Sequence, residues 1–86
     1  LPRGVSLAVG LTPTPASFAQ ADHAEICRRL LAGWNLWLEA DLVLTDLPST
    51  MPEGQFASVT HLNEEGRVVF TRLLGAELKR VKRHND

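Results

Sequence analysis

The chain has 86 residues, enough for one domain near the lower end of what folds without metals or disulfides. Its 44% apolar content argues against disorder, and a net charge of −1 supplies no global field to draw in nucleic acid or an anionic membrane. The single cysteine, Cys27, excludes an intramolecular disulfide framework and suits a reducing, cytoplasmic setting.

The first residue is Leu1 and not methionine, which reads as a trimmed chain. Arg3, the apolar run Val5 to Leu11 and the alanine-rich stretch Ala16 to Ala21 loosely imitate a secretory signal with a small-residue cleavage site, but Pro13 and Pro15 interrupt the pattern. No run approaches the roughly 20 apolar residues that span a bilayer. Val5, Leu7 and Val9 alternate with Ser6, Ala8 and Gly10, so residues 1–14 read as an extended arm. Thr12-Pro13-Thr14-Pro15 favours polyproline-like backbone.

Helix signals follow at Pro15, at the Ser17/Gln20 capping-box pair and at Asp22/Glu25. From there to Leu44 the chain has no further proline and one glycine, Gly33, and the spacing predicts one helix over 15–44. Wound at 100° per residue, Ile26, Leu30, Trp37 and Leu44 share a line. Cys27, Trp34, Leu38, Leu31 and Leu42 continue that arc, while Arg28, Asn35 and Glu39 face away. A second seam, Ala32, Leu36, Ala40 and Val43, is edged by Arg29.

Residues 45–62 read as a loop with a short turn, since Pro48 and Pro52 punctuate them. Residues 63–84 read as a second helix. Asn63 is a good N-cap, Glu64 and Glu65 favour the first turn, and Lys79, Arg80, Lys82 and Arg83 gather near the end. Its apolar stripe is Val69, Phe70, Leu73, Leu74, Leu78 and Val81. Asn85 and Asp86 are expected to fray.

The expected fold is therefore mainly α: a single domain of two long amphipathic helices with a short extended N-terminal arm. The first helix would be roughly 45 Å long and the second roughly 30 Å, at 1.5 Å per residue. Two helices pack along one seam, so the longer one keeps apolar surface, and a helical homodimer is the economical cover. Arg29, Ala32, Trp34, Leu36, Trp37, Ala40 and Val43 are the expected partner-binding residues, because tryptophan and arginine dominate binding hot spots.

No catalytic constellation is legible. His23 and Cys27 stand at i, i+4, but zinc takes three or four protein ligands, and His61 and His84 have no motif spacing to them. Cys27 lies on the apolar arc and reads as an inert thiol; Asp41 on the same arc reads as a structural acceptor. No phosphate loop, nucleophile elbow or dinucleotide fingerprint occurs. The expectation is a protein that is not an enzyme and holds no cofactor or metal. The basic C-terminal residues 79–84 spread around their helix without interleaved aromatics, so direct nucleic-acid contact is the alternative reading and not the first.

Two stretches carry a resemblance: Glu25-Ile-Cys-Arg-Arg-Leu-Leu-Ala-Gly-Trp-Asn-Leu-Trp-Leu-Glu39 and Leu62-Asn-Glu-Glu-Gly-Arg-Val-Val-Phe-Thr-Arg-Leu-Leu74. In overall character they resemble the QslA-type quorum-sensing antiactivators of bacteria. The resemblance implies a helical homodimer that binds the ligand-binding domain of a LuxR-type (LasR-like) transcriptional activator. Such binding blocks activator dimerisation and DNA binding, a negative regulation of transcription. No compact motif fixes which residues would do this.

Overall fold

Two proline-rich segments that look like loops lie side by side and pair. A computed structural model describes the backbone of residues 4–85 and the side chains of residues 4–83. Leu1 to Arg3 of the expected arm and Asp86 of the expected frayed end lie outside the described residues, as does the side chain of His84. In chain order the elements are β1 (Ala8–Val9), β2 (Thr14–Pro15), α1 (His23–Leu38), β3 (Leu42–Val43), β4 (Thr50–Met51), β5 (Phe56–Ser58), β6 (His61–Leu62) and α2 (Glu64–Asn85). Single 3-10 turns occupy Ala16–Phe18 and Glu53–Gln55.

The chain is an α+β mixture, which corrects the expectation of a mainly helical pair of long helices. β1 pairs with β3 and β2 with β4, both parallel, so α1 is the crossover that parallel pairing requires. Backbone bonds run from the Leu42 N–H to the Leu7 carbonyl (3.0 Å), from Leu44 to Val9 (2.8 Å) and from Thr14 to Ser49 (3.0 Å). Pro13 and Pro15 are buried, and lacking N–H groups they leave no donor unsatisfied there. β5 and β6 form an antiparallel hairpin with Phe56 opposite Leu62.

α1 is shorter than the periodicity suggests at both ends. It starts at His23, whose N–H bonds the Gln20 carbonyl, and it stops at Leu38 although no glycine or proline follows. Two features end it. Glu39 adopts a left-handed conformation (φ 48°, ψ 49°), with its N–H on the Asn35 carbonyl at 2.9 Å. The Asn35 side chain then accepts from the Ala40 N–H at 2.8 Å. A side chain in that backbone region costs about 1–2 kcal/mol that glycine does not. Glu39→Gly is expected to raise stability by up to about 1 kcal/mol in urea melts. A loss there would mean that the Glu39 side chain itself holds the helix end.

α2 starts where its capping residue stands. Asn63 Oδ1 accepts from the Gly66 N–H (2.9 Å), its Nδ2 donates to the Gly54 carbonyl (2.7 Å), and its N–H bonds the Gln55 carbonyl (2.9 Å). One side chain thus joins the 53–55 turn to the first turn of the helix. The inward face of α2, Phe70, Leu74 and Leu78, faces Ala8, Gly10, Leu44 and Leu47 across a cavity of about 340 Å³. Farther along, the buried Glu77 accepts from the Asp46 N–H (2.5 Å) and from Arg80 Nε (2.6 Å), and Arg80 also reaches Asp46 (3.0 Å).

The core is thin. Among the described residues the buried apolar side chains are Leu31, Leu44, Met51, Val81 and the two prolines. Among the described residues α2 packs mainly on β3, β6 and the 53–55 turn and not on α1.

Candidate protein-binding surface

α1 gives one narrow strip to the core. Leu31 is buried, and with Ala24, Cys27 and Arg28 it faces Leu11, Leu44, Leu47, Pro48 and Ser49 across a cavity of about 70 Å³. Beside this strip, Ile26, Leu30, Trp34, Trp37 and Leu38 fall within an arc of about 120° at 100° per residue. They are 42%, 49%, 60%, 88% and 44% exposed, so most of the first helix's apolar surface faces outward.

Arg29, Leu30, Gly33, Trp34, Trp37 and Leu38 line a groove of about 560 Å³. That lies within the roughly 300–1,000 Å³ of ligand pockets. All six residues belong to α1, so the groove has a single wall and suits an opposing surface better than an enclosed small molecule. Arg29 Nε lies 3.3 Å and Arg28 Nη2 2.7 Å from the Glu25 carboxylate, and the Arg28 guanidinium holds that carboxyl below its ordinary value.

Of the residues expected to bind a partner, the structure gathers Arg29, Trp34 and Trp37 on this groove. Ala32 and Leu36 are also exposed, Leu36 at 82%, but they lie across the helix near Glu25 and Arg28. Ala40 and Val43 do not extend that seam, because the helix has ended. The Ala40 N–H bonds Asn35, and Val43 pairs with Val9 in the β1–β3 ladder. Leu30, Gly33 and Leu38 complete the groove. Their spacing on the arc of Trp37 was the available signal, yet periodicity alone cannot tell a covered arc from an open one.

The other chemistry-bearing residues have local partners. Cys27 Sγ is 3.5 Å from His23 Nε2, and the same nitrogen lies 3.2 Å from the Ser49 carbonyl. A nitrogen that donates to a carbonyl carries its own proton and cannot also accept the thiol's. Asp41 accepts from the Leu7 N–H at 2.7 Å, which ties the arm to the end of α1. His61 Nδ1 lies 3.1 Å from Ser58 Oγ and 3.0 Å from Thr60 Oγ1 in the hairpin turn. Among the described residues, no three His, Cys, Asp or Glu side chains are placed to hold a metal ion, and no helix is long and apolar enough to cross a membrane.

Comparison of the chain with protein-family models, with curated proteins and with solved structures found no match. The surface is therefore interpreted from its own geometry.

Proposed function

We propose that this protein acts by binding protein through the apolar face of α1, with a second copy of itself as the first occupant. The observation that carries this reading is the exposure of Trp34 and Trp37 beside Ile26, Leu30 and Leu38 on one face of a helix. At 150–250 Å² per ring, the two tryptophans leave roughly 220–370 Å² in water, worth about 5–9 kcal/mol on burial. That is comparable with the whole stability of a domain this size, about 4–13 kcal/mol. Two copies offer roughly 440–740 Å² from the tryptophans alone, and the exposed parts of Ile26, Leu30 and Leu38 add to this toward the roughly 1,000 Å² of a specific interface.

The resemblance to the antiactivators gives the reading a specific form. A helix face that pairs with itself can also cover a partner's dimer contact, and the partner would be the ligand-binding domain of a LuxR-type (LasR-like) activator. The protein would then be a cytoplasmic negative regulator that holds the activator apart from its own second copy and from DNA.

Sedimentation equilibrium at micromolar concentration tests the first step. The wild type is expected to be a dimer, and Trp37→Glu is expected to weaken it by about 30-fold or more, as loss of a hot-spot side chain does. Because Trp37 is 88% exposed, the helical circular-dichroism signal should not change. A wild-type monomer with a cooperative melt removes the self-association. Titration of a purified activator ligand-binding domain tests the second step: binding that Trp37→Glu abolishes supports it, and no binding by the wild type removes it.

A further inference from the structure

The outward side of α2 is used neither by the fold nor by the α1 face, and it is basic. Arg72, Lys79 and Arg83 fall within an arc of about 40° at 100° per residue, opposite the buried Gly66, Glu77 and Val81. They span about 17 Å of helix at 1.5 Å per residue. All three are exposed, and among the described residues the ion-paired cations are Arg28, Arg29 and Arg80, so these three have no carboxylate partner. Glu65, in the first turn, lies in line with the strip at its N-terminal end, exposed Val68 stands beside that end, and Lys82 is turned about 60° away from Lys79.

Complementing the helix dipole accounts for cations in the last turn only, because that effect fades within one turn. Arg72 and Lys79 lie well inside a helix that runs to Asn85. Residues 79–84 by themselves wind around the helix; Arg72, two turns before Lys79, turns Lys79 and Arg83 into a line. Between them Ala76 is exposed, and the space over the Gly75 Cα is open, so the helix backbone can come close to a ligand.

We propose that this strip binds the phosphate backbone of duplex nucleic acid without reading its sequence. The chemistry favours that occupant. A protein partner needs apolar or aromatic anchors at the centre of its interface, and the centre of this strip offers Gly75 and Ala76. An interfacial membrane helix needs a continuous free apolar face, whereas the exposed large apolar residues of α2, Val68 and Leu73, stand about 140° apart around the helix. Single strands are held by aromatic stacking, which the strip lacks. What remains is a row of charges on a rigid rod, which a duplex backbone complements.

Fluorescence anisotropy of the full chain with a labelled duplex of random sequence tests the proposal, independently of self-association. For three phosphate contacts, affinity is expected to fall about 40-fold between 50 and 200 mM salt. Arg72→Gln, Lys79→Gln and Arg83→Gln should each reduce the salt slope by about one unit. Arg28→Gln, on α1, should leave it unchanged. Absence of binding at low salt, or unchanged binding by the triple variant with an intact circular-dichroism spectrum, overturns the proposal. So does polyglutamate binding as tightly as the duplex at equal charge, which would assign the strip to an acidic protein.

Discussion

Gly66→Ala is expected to melt about 12–24 °C below the wild type, the shift that a loss of about 3 kcal/mol produces in a domain of this size. Gly66 is buried in the first turns of α2, against the 53–55 turn. A Cβ there would overlap the Gln55 carbonyl oxygen and press on Leu62 Cδ2 at 3.0 Å. The Gln55 carbonyl cannot retreat cheaply, because it accepts from the Asn63 N–H, and Asn63 also caps the helix. Intrinsic helix propensity acts the other way, favouring alanine over glycine by about 1 kcal/mol, so the contact has to exceed that gain. Gly75→Ala isolates the two effects. It lies on the same helix with nothing within 4 Å of the added carbon, and it should raise stability by about 0.8–1 kcal/mol. The same substitution on one helix should thus change sign, and stabilisation at both positions would show that α2 does not dock through Gly66.

The contrast between the two helices shows what a sequence can and cannot reveal. Asn63 announces α2 because its capping bonds are local, within three residues of the helix start. The end of α1 is equally local but uses residues that carry no stop signal. Asn35 caps from inside the helix, and Glu39 takes a left-handed conformation where glycine is the usual choice. Without that stop the periodicity runs on to Leu44 and adds Ala40 and Val43 to the Ala32 and Leu36 seam, although both lie beyond the helix. The parallel strands were hidden for a different reason. Each is two residues long and pairs with a segment about 34–36 residues away, so no window of sequence contains the pattern. Only the alternation of Val5, Leu7 and Val9 hinted at extended backbone. The exposed apolar face of α1 was half legible: the arc of Ile26, Leu30, Trp34 and Trp37 is plain in the spacing. Which part of an apolar arc the chain itself covers depends on how the 44–49 segment returns to Leu31, a tertiary fact.

Replacing Glu77 by alanine is expected to cost about 2–3 kcal/mol at neutral pH, the scale of hydrogen bonds to a charged group. Glu77 is 6% exposed and connects α2 to the segment after β3 through the Asp46 N–H and Arg80. The Arg80 side-chain bond is the largest influence on its carboxyl, and with the Asp46 N–H it holds the pKa below the ordinary 4.5 despite burial. A carboxyl with a lowered folded-state pKa contributes stability that is complete above the unfolded value. That contribution is lost as pH falls through the lower folded value, because the folded state then takes up the proton. Urea melts should therefore show a constant gap between wild type and Glu77→Ala from neutrality down to about pH 5, narrowing below pH 4.5. Glu77→Gln keeps an acceptor without the charge and should fall between the two at neutral pH, with a gap to alanine that is insensitive to acid. If the gap between wild type and alanine persists undiminished at pH 3, the side chain acts by filling space. The charge-assisted link between α2 and the loop would then contribute nothing to holding the helix on the sheet.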